Sequence, residues 1–264
     1  MSRKRNAVIL TGYMRNYEDT IDKFRKNLLT DDSVDVFIAT WNYRGVKKVN
    51  SRVEILTDNT PRRMAFKEPA DDSKIDESDI IEKYCPKSIR SFDWDLFKES
   101  ITQYAKIVET SDLIHLHHSK KPKSYWTLMI RYCMFFMSYQ GWKLMDDYAN
   151  ENDIDYQKVI RARTDFERNG HYPKIDWKKH IPKKCIQIGN WNLQQYPSLD
   201  RRIKFVFQDH FAIGNFDDMH VYFDMFNNLY RLSHEFEYET KQWHAEYCLS
   251  LWLTMNGIGC EVIK

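Results

Sequence analysis

Ala7-Val8-Ile9-Leu10-Thr11-Gly12 decides the fold. Four consecutive apolar residues ending at a threonine and a glycine read as a buried parallel strand, since a strand covered by helices on both faces shows no polar alternation. Gly12 lets backbone approach a ligand closely, and Arg15 follows within reach of the same turn. From Glu18 to Leu29 the apolar positions Ile21, Phe24 and Leu28 recur at helical spacing. Val34-Asp35-Val36-Phe37-Ile38-Ala39-Thr40-Trp41 is then a second strand, so the segment forms a βαβ unit. In such a unit phosphates bind beyond the first strand, and Trp41 and Asn42 bring an aromatic ring and an amide to the same edge.

Further strands are expected at Val53 to Leu56, Ser88 to Phe92, Cys185 to Ile188, Ile203 to Phe207 and Ile258 to Ile263. Thr57 to Ser78 is polar, carries two prolines and reads as an irregular excursion. A helical turn is expected at Ile80 to Tyr84 and a helix at Leu96 to Ile107. A long helix over Tyr125 to Asn150 follows from the stripe Leu128, Tyr132, Phe135, Tyr139, Trp142 and Met145. Gly141 interrupts that helix at a cost of about 1 kcal/mol and signals close packing. Asn215, Asp217 and Asp218 read as the start of a helix to Leu232, and a last helix runs from Glu239 to Met255 and stops at Asn256-Gly257.

With 264 residues the chain can bury one large core or two modest ones, and no repeat divides it. A net charge of +2 argues against nonspecific nucleic-acid binding. No apolar run approaches the length of a membrane span, and Ala7 to Leu10 is too short for a signal-peptide core. Five scattered cysteines without a C-x-x-C pair favour reduced thiols, and with them a cytoplasmic setting.

The chemistry gathers at Val159-Ile160-Arg161-Ala162-Arg163-Thr164-Asp165. As a strand, this stretch puts Arg161, Arg163 and Asp165 on one side at a sheet's carboxyl edge. Guanidiniums grip phosphate directly, and a carboxylate holds a divalent cation that does the same. A local salt bridge on an edge strand is the plainer alternative. Asp153 and Asp155 precede their strand and sit at the wrong end, while Asp93 and Asp95 follow a weaker one. Asp209, next to His210, is a candidate general base, with Glu239, His244 and Glu246 on the last helix as others. His115, His117 and His118 match no standard metal spacing. The chain contains no G-x-G-x-x-G, Walker A, G-x-S-x-G or H-E-x-x-H motif.

Ala7 to Arg15, Asp35 to Asn42, Phe136 to Gly141, Val159 to Asp165 and Asp209 to Gly214 together resemble small GT-A-like glycosyltransferases. Enzymes of this kind occur in bacterial surface-polysaccharide clusters and in large DNA viruses, including chloroviruses. The resemblance spans most of the chain in order, and R-x-R-x-D is its most specific part. It implies a single α/β domain of Rossmann type, with a mixed, mainly parallel sheet flanked by helices. Residues 1–165 would form the half that binds the nucleotide sugar and 166–264 the half that binds the acceptor. By the same resemblance Thr11, Gly12 and Arg15 look like nucleotide contacts, joined by Trp41, Arg161 and Arg163, and Asp165 looks like the ligand of Mn2+ or Mg2+. Arg163 stands where the usual D-x-D has its first aspartate, so the arginines are an alternative to the ion. The implied reaction moves a sugar from a nucleotide diphosphate sugar to a glycan or glycoprotein hydroxyl, in the host cytoplasm if the protein is viral. UDP-xylose, UDP-glucose and UDP-galactose are the donors it suggests. An inverting mechanism needs a base, first Asp209 and then Glu246, whereas a retaining one does not. The rival readings are a metal-dependent phosphodiesterase or nuclease and a non-catalytic nucleotide- or glycan-binding module.

Overall fold

The computed structural model describes residues 2–14, 17–44, 73–97, 99, 123–164, 172–189, 193–194, 206–207, 210–229 and 245–263. In chain order the elements are β1 (Arg3–Gly12), α1 (Tyr17–Leu28), β2 (Val34–Trp41), α2 (Glu77–Tyr84), β3 (Ser88–Phe92), α3 (Lys123–Asn152), β4 (Ile154–Ala162) and β5 (Cys185–Ile188). They continue with β6 (Leu193–Gln194), β7 (Val206–Phe207), β8 (Phe211–Asn215), α4 (Phe216–Phe223), α5 (Ala245–Met255) and β9 (Gly259–Val262). The strand expected at Val53 to Leu56, most of the excursion at Thr57 to Ser78, most of the helix from Leu96 and the histidines at 115–118 lie outside the described residues.

One mixed sheet of seven strands runs in the order β3-β2-β1-β4-β8-β5-β9, with β6 and β7 as a separate pair. The β3–β2, β2–β1, β1–β4 and β5–β9 ladders are parallel, while β8 is antiparallel to both β4 and β5. The mainly parallel sheet expected from the apolar runs is therefore present, with β8 as its one reversed strand.

The run at Ala7 to Leu10 serves two cores at once. Ala7 and Ile9 face a core closed by α3, α4 and α5, where Phe135, Met145, Met219 and Leu249 are buried. Val8 and Leu10 face the opposite core, closed by α1, α2 and residues 172–181, where Phe24, Leu28, Tyr84 and Trp177 are buried. The two-residue period of a strand distributes the run between the faces, giving three layers. In α1, Tyr17, Thr20, Ile21, Phe24 and Leu28 are buried, one stripe at three-to-four spacing.

Around α3 burial is wider than a single stripe. Cys133, Phe135, Met137, Trp142, Leu144 and Met145 are all buried, because α4 packs against the side that the sheet leaves open. Gly141 lies where the helix crosses the sheet. A Cβ there would come 2.5 Å from Ile9 Cγ2, 3.0 Å from Thr11 Cγ2 and 3.6 Å from the Ala39 Cβ.

Three expectations need correction. Asn215 occupies the N-cap position of α4, but its side chain makes no cap bond; its amide donates to the carbonyls of Ile181 and Pro182, tying the end of β8 to the segment before β5. The helix expected to reach Leu232 breaks at Asp224, whose carboxylate accepts from the amides of Asn227 and Asn228 before helix resumes at 225–229. Strand β4 ends at Ala162, so Arg163 and Thr164 lie in the turn beyond it rather than on the strand.

At the amino edge of the sheet Asp35 is buried in β2. Arg5 Nε donates to its Oδ2 at 2.6 Å and the same guanidinium to its Oδ1 at 2.8 Å, while the Tyr156 hydroxyl adds a bond of 2.9 Å. Such bonds offset the cost of taking a carboxylate out of water. Among the described residues no helix is long and apolar enough to cross a membrane.

Candidate functional site

From β1 the chain steps outward to β2 and β3, then returns through α3 to β4 on the other side of β1. The strand order reverses between β1 and β4, and in open α/β sheets ligands bind in the crevice beyond the carboxyl ends at that point. The ladder registers show the crevice opening. β1 and β4 last pair at Leu10↔Ala162, whereas β1 stays with β2 as far as Gly12↔Thr40. Past Ala162 the other chain turns away, and the Arg163 N–H donates to the His210 carbonyl just before β8.

On the first bank Gly12 has φ +107°, a conformation that a side-chain-bearing residue rarely adopts, although a Cβ would meet nothing within 4 Å. Glycine is needed there for the turn, not for space. Thr11 is buried and faces α3. Tyr13 follows in a half-buried position, its ring tilted against Trp41 and Trp94 with centroids 6.4 and 6.3 Å away.

On the second bank Arg161 is 2% exposed, and its Nε donates to Thr11 Oγ1 at 3.1 Å. It was expected as an open phosphate contact; instead its guanidinium lies beneath α3 and reaches across to the first bank. Arg163 is half-buried, with its backbone held at both ends: its N–H bonds to His210, and its carbonyl accepts from the Tyr172 hydroxyl at 2.7 Å. Thr164, 1% exposed, donates its hydroxyl to the Tyr13 carbonyl at 2.6 Å.

Trp41 also corrects an expectation. At 2% exposure it is packing material, edge-on to Trp94 at 4.9 Å and stacked toward Phe136 at 6.1 Å, rather than a surface for a flat ligand. The half-buried members of this aromatic group are Tyr13, Phe97 and Phe136.

Asp93 is spent on structure. Its Oδ1 accepts from the N–H groups of Asp95 and Leu96 at the start of the helical turn 94–97, and its Oδ2 from the Asn42 amide. Asp153 and Asp155 lie at the amino end of β4, away from the crevice as expected. Glu246 is half-buried in the first turn of α5. Arg15, Asp165, Asp209, Glu239 and His244 lie outside the described residues.

Of the described side chains at the crevice, the half-buried Arg163 carries positive charge there, while the Arg161 guanidinium is buried against Thr11 and the Thr164 hydroxyl is taken by the Tyr13 carbonyl. Among the described residues no group of three or more His, Cys, Asp or Glu stands ready for a metal. A divalent ion at this edge would draw on Asp165, which lies outside the described residues. Thr164 and Tyr172 were not singled out by sequence reasoning; the only signal was a threonine inside the R-x-R-x-D stretch.

Fold and crevice together define an α/β protein with one mixed seven-stranded sheet and a switch point between β1 and β4. No protein-family model, no characterised protein and no solved structure matches the chain.

Proposed function

We propose that the protein is a glycosyltransferase that takes its sugar from a nucleotide diphosphate donor bound at the β1/β4 crevice. The observation that carries this reading is the parting of β1 and β4 beyond Leu10↔Ala162, with Gly12 turning one bank and Arg163 held on the other. Support for the donor class comes from the resemblance of the R-x-R-x-D stretch to GT-A-like enzymes. In this reading Arg163 and Arg15 meet the diphosphate, and Arg161 holds Thr11 from beneath rather than touching the ligand. The positive charge stabilises the leaving diphosphate as the glycosidic bond breaks. Asp165 is the residue that would hold Mn2+ or Mg2+, which would supply further charge neutralisation there. Asp209 is the proposed base for the acceptor hydroxyl in an inverting reaction, with Glu246 as the second candidate.

The test is turnover. The protein is incubated with UDP- and GDP-sugars, with and without manganese, and free nucleotide is measured. The reading expects slow release of UDP or GDP from at least one donor, and loss of that release in Arg163→Ala. If no donor is hydrolysed and none raises the melting temperature, the transferase reading falls. Cleavage of nucleic acid into shorter fragments ending in a phosphomonoester instead would favour a phosphodiesterase, and saturable binding without turnover a binding module.

A further inference from the structure

We infer that Thr164 is a positioning residue: its hydroxyl latches the turn after β4 to the turn after β1 and so sets the spacing between Arg163 and the Gly12 turn for an anionic ligand. The inference rests on the proposed donor site, but the latch is visible without it. Among the described residues the two banks share no ladder pair beyond Leu10↔Ala162. Side-chain bonds span the gap there. Arg161 Nε to Thr11 Oγ1 does so within the sheet, and Thr164 Oγ1 to the Tyr13 carbonyl does so at the mouth. The second is the shorter, at 2.6 Å, and its donor is 1% exposed while the accepting Tyr13 is half-buried, so water competes with it less than with an exposed bond.

Thr164 follows directly on Arg163, whose N–H is bonded to His210 and whose carbonyl accepts from Tyr172. Three bonds therefore fix the Arg163–Thr164 unit to three different segments: the approach to β8, the chain at Tyr172, and the turn at Tyr13. Of these three, the threonine bond reaches the opposite bank. A ligand whose phosphates must touch both banks needs their separation fixed in advance, since misplacement of such contacts by a fraction of an ångström costs binding.

The experiment compares wild type, Thr164→Val and Thr164→Ser. Valine keeps the shape and removes the hydroxyl, whereas serine restores the hydroxyl and removes a methyl group. Hydrogen exchange at residues 12–14 and 163–164 reads the latch directly, and UDP affinity with donor-hydrolysis kcat and KM reads its consequence. Faster exchange confined to both banks is expected in the valine variant and near-normal exchange in the serine variant. The donor KM should rise about tenfold in the valine variant, with kcat changed much less, the effect expected for loss of about one hydrogen bond's worth of preorganisation. Equal exchange in all three proteins, or serine behaving like valine, overturns the latch. If wild type neither binds nor hydrolyses any nucleotide sugar, the donor reading fails and with it the ligand role of Thr164, while the exchange comparison still decides whether the hydroxyl joins the banks.

Discussion

Gly141→Ala is the most revealing single change in the core. In an exposed helix it would stabilise by about 1 kcal/mol, because alanine is the better helix former. Here the added methyl group would sit 2.5 Å from Ile9 Cγ2 and 3.0 Å from Thr11 Cγ2, well inside van der Waals contact. Neither neighbour swings away easily. Both are β-branched, both lie on β1, and that interior strand is pinned by ladders to β2 and β4. Overpacking of this kind costs about 1–3 kcal/mol, and the upper part of that range applies because both neighbours are rigid. The propensity gain offsets part of it, leaving a net loss of about 1–2 kcal/mol. For a chain of this size that corresponds to a fall in Tm of roughly 2–8 °C. Urea denaturation followed by circular dichroism measures it. Adding Ile9→Ala removes the nearest contact, so the double variant should lose less stability than the two single losses sum to. A Gly141→Ala protein more stable than wild type would refute the close approach of α3 to β1. Because Thr11 is one of the two neighbours, the same methyl group pushes on the residue that receives Arg161.

The buried carboxylate at the other edge gives a second expectation. Asp35→Ala strips Arg5 of a two-pronged partner and Tyr156 of its acceptor, and should cost about 3 kcal/mol, nearer the low end for a broken buried pair because Arg5 keeps some access to water. Tyr156→Phe should cost only about 1 kcal/mol, and both are read from denaturant midpoints. A third concerns thiols on neighbouring strands. Burial, with a smaller push from Glu261, raises Cys185 from its ordinary 9.0 to about 11, and burial raises Cys260 to about 12. A folded value above the unfolded one means stability that is whole below pH 9 and lost as pH rises toward 12. Urea midpoints measured from pH 8 upward should therefore fall, and less steeply in Cys185→Ala. Exposed Cys85 should react with a thiol reagent at once, and buried Cys133, Cys185 and Cys248 only on unfolding.

The parts of the fold legible in the sequence were those written in apolar periodicity. The unbroken runs of β1 and β2 and the three-to-four spacing of α1 each follow from burial on known faces, and Gly141 announced a close contact. Residues whose partners lie far along the chain were not legible. Asp35 looks like any charged residue near a strand start until Arg5 and Tyr156 arrive from two other strands. Arg161 looks like an open cation until Thr11, 150 positions earlier, takes its Nε–H. The reversal of β8 left no mark, since a short apolar strand reads the same in either direction. The end of β4 at Ala162 was hidden because the alternation of charge in R-x-R-x-D mimics a strand that continues. That turn, rather than a strand, is what lets Thr164 face the Tyr13 carbonyl.

The central claim is that Arg163 and the Gly12 turn receive a nucleotide diphosphate, and calorimetric titration of UDP and GDP into wild type and Arg163→Ala tests it most directly. The account predicts saturable one-site binding by one of the two nucleotides, weakened at least tenfold in the variant, as about 1.5–3 kcal/mol for a charge-assisted bond requires. Binding of neither nucleotide by wild type, or equal affinity in the variant, would contradict it.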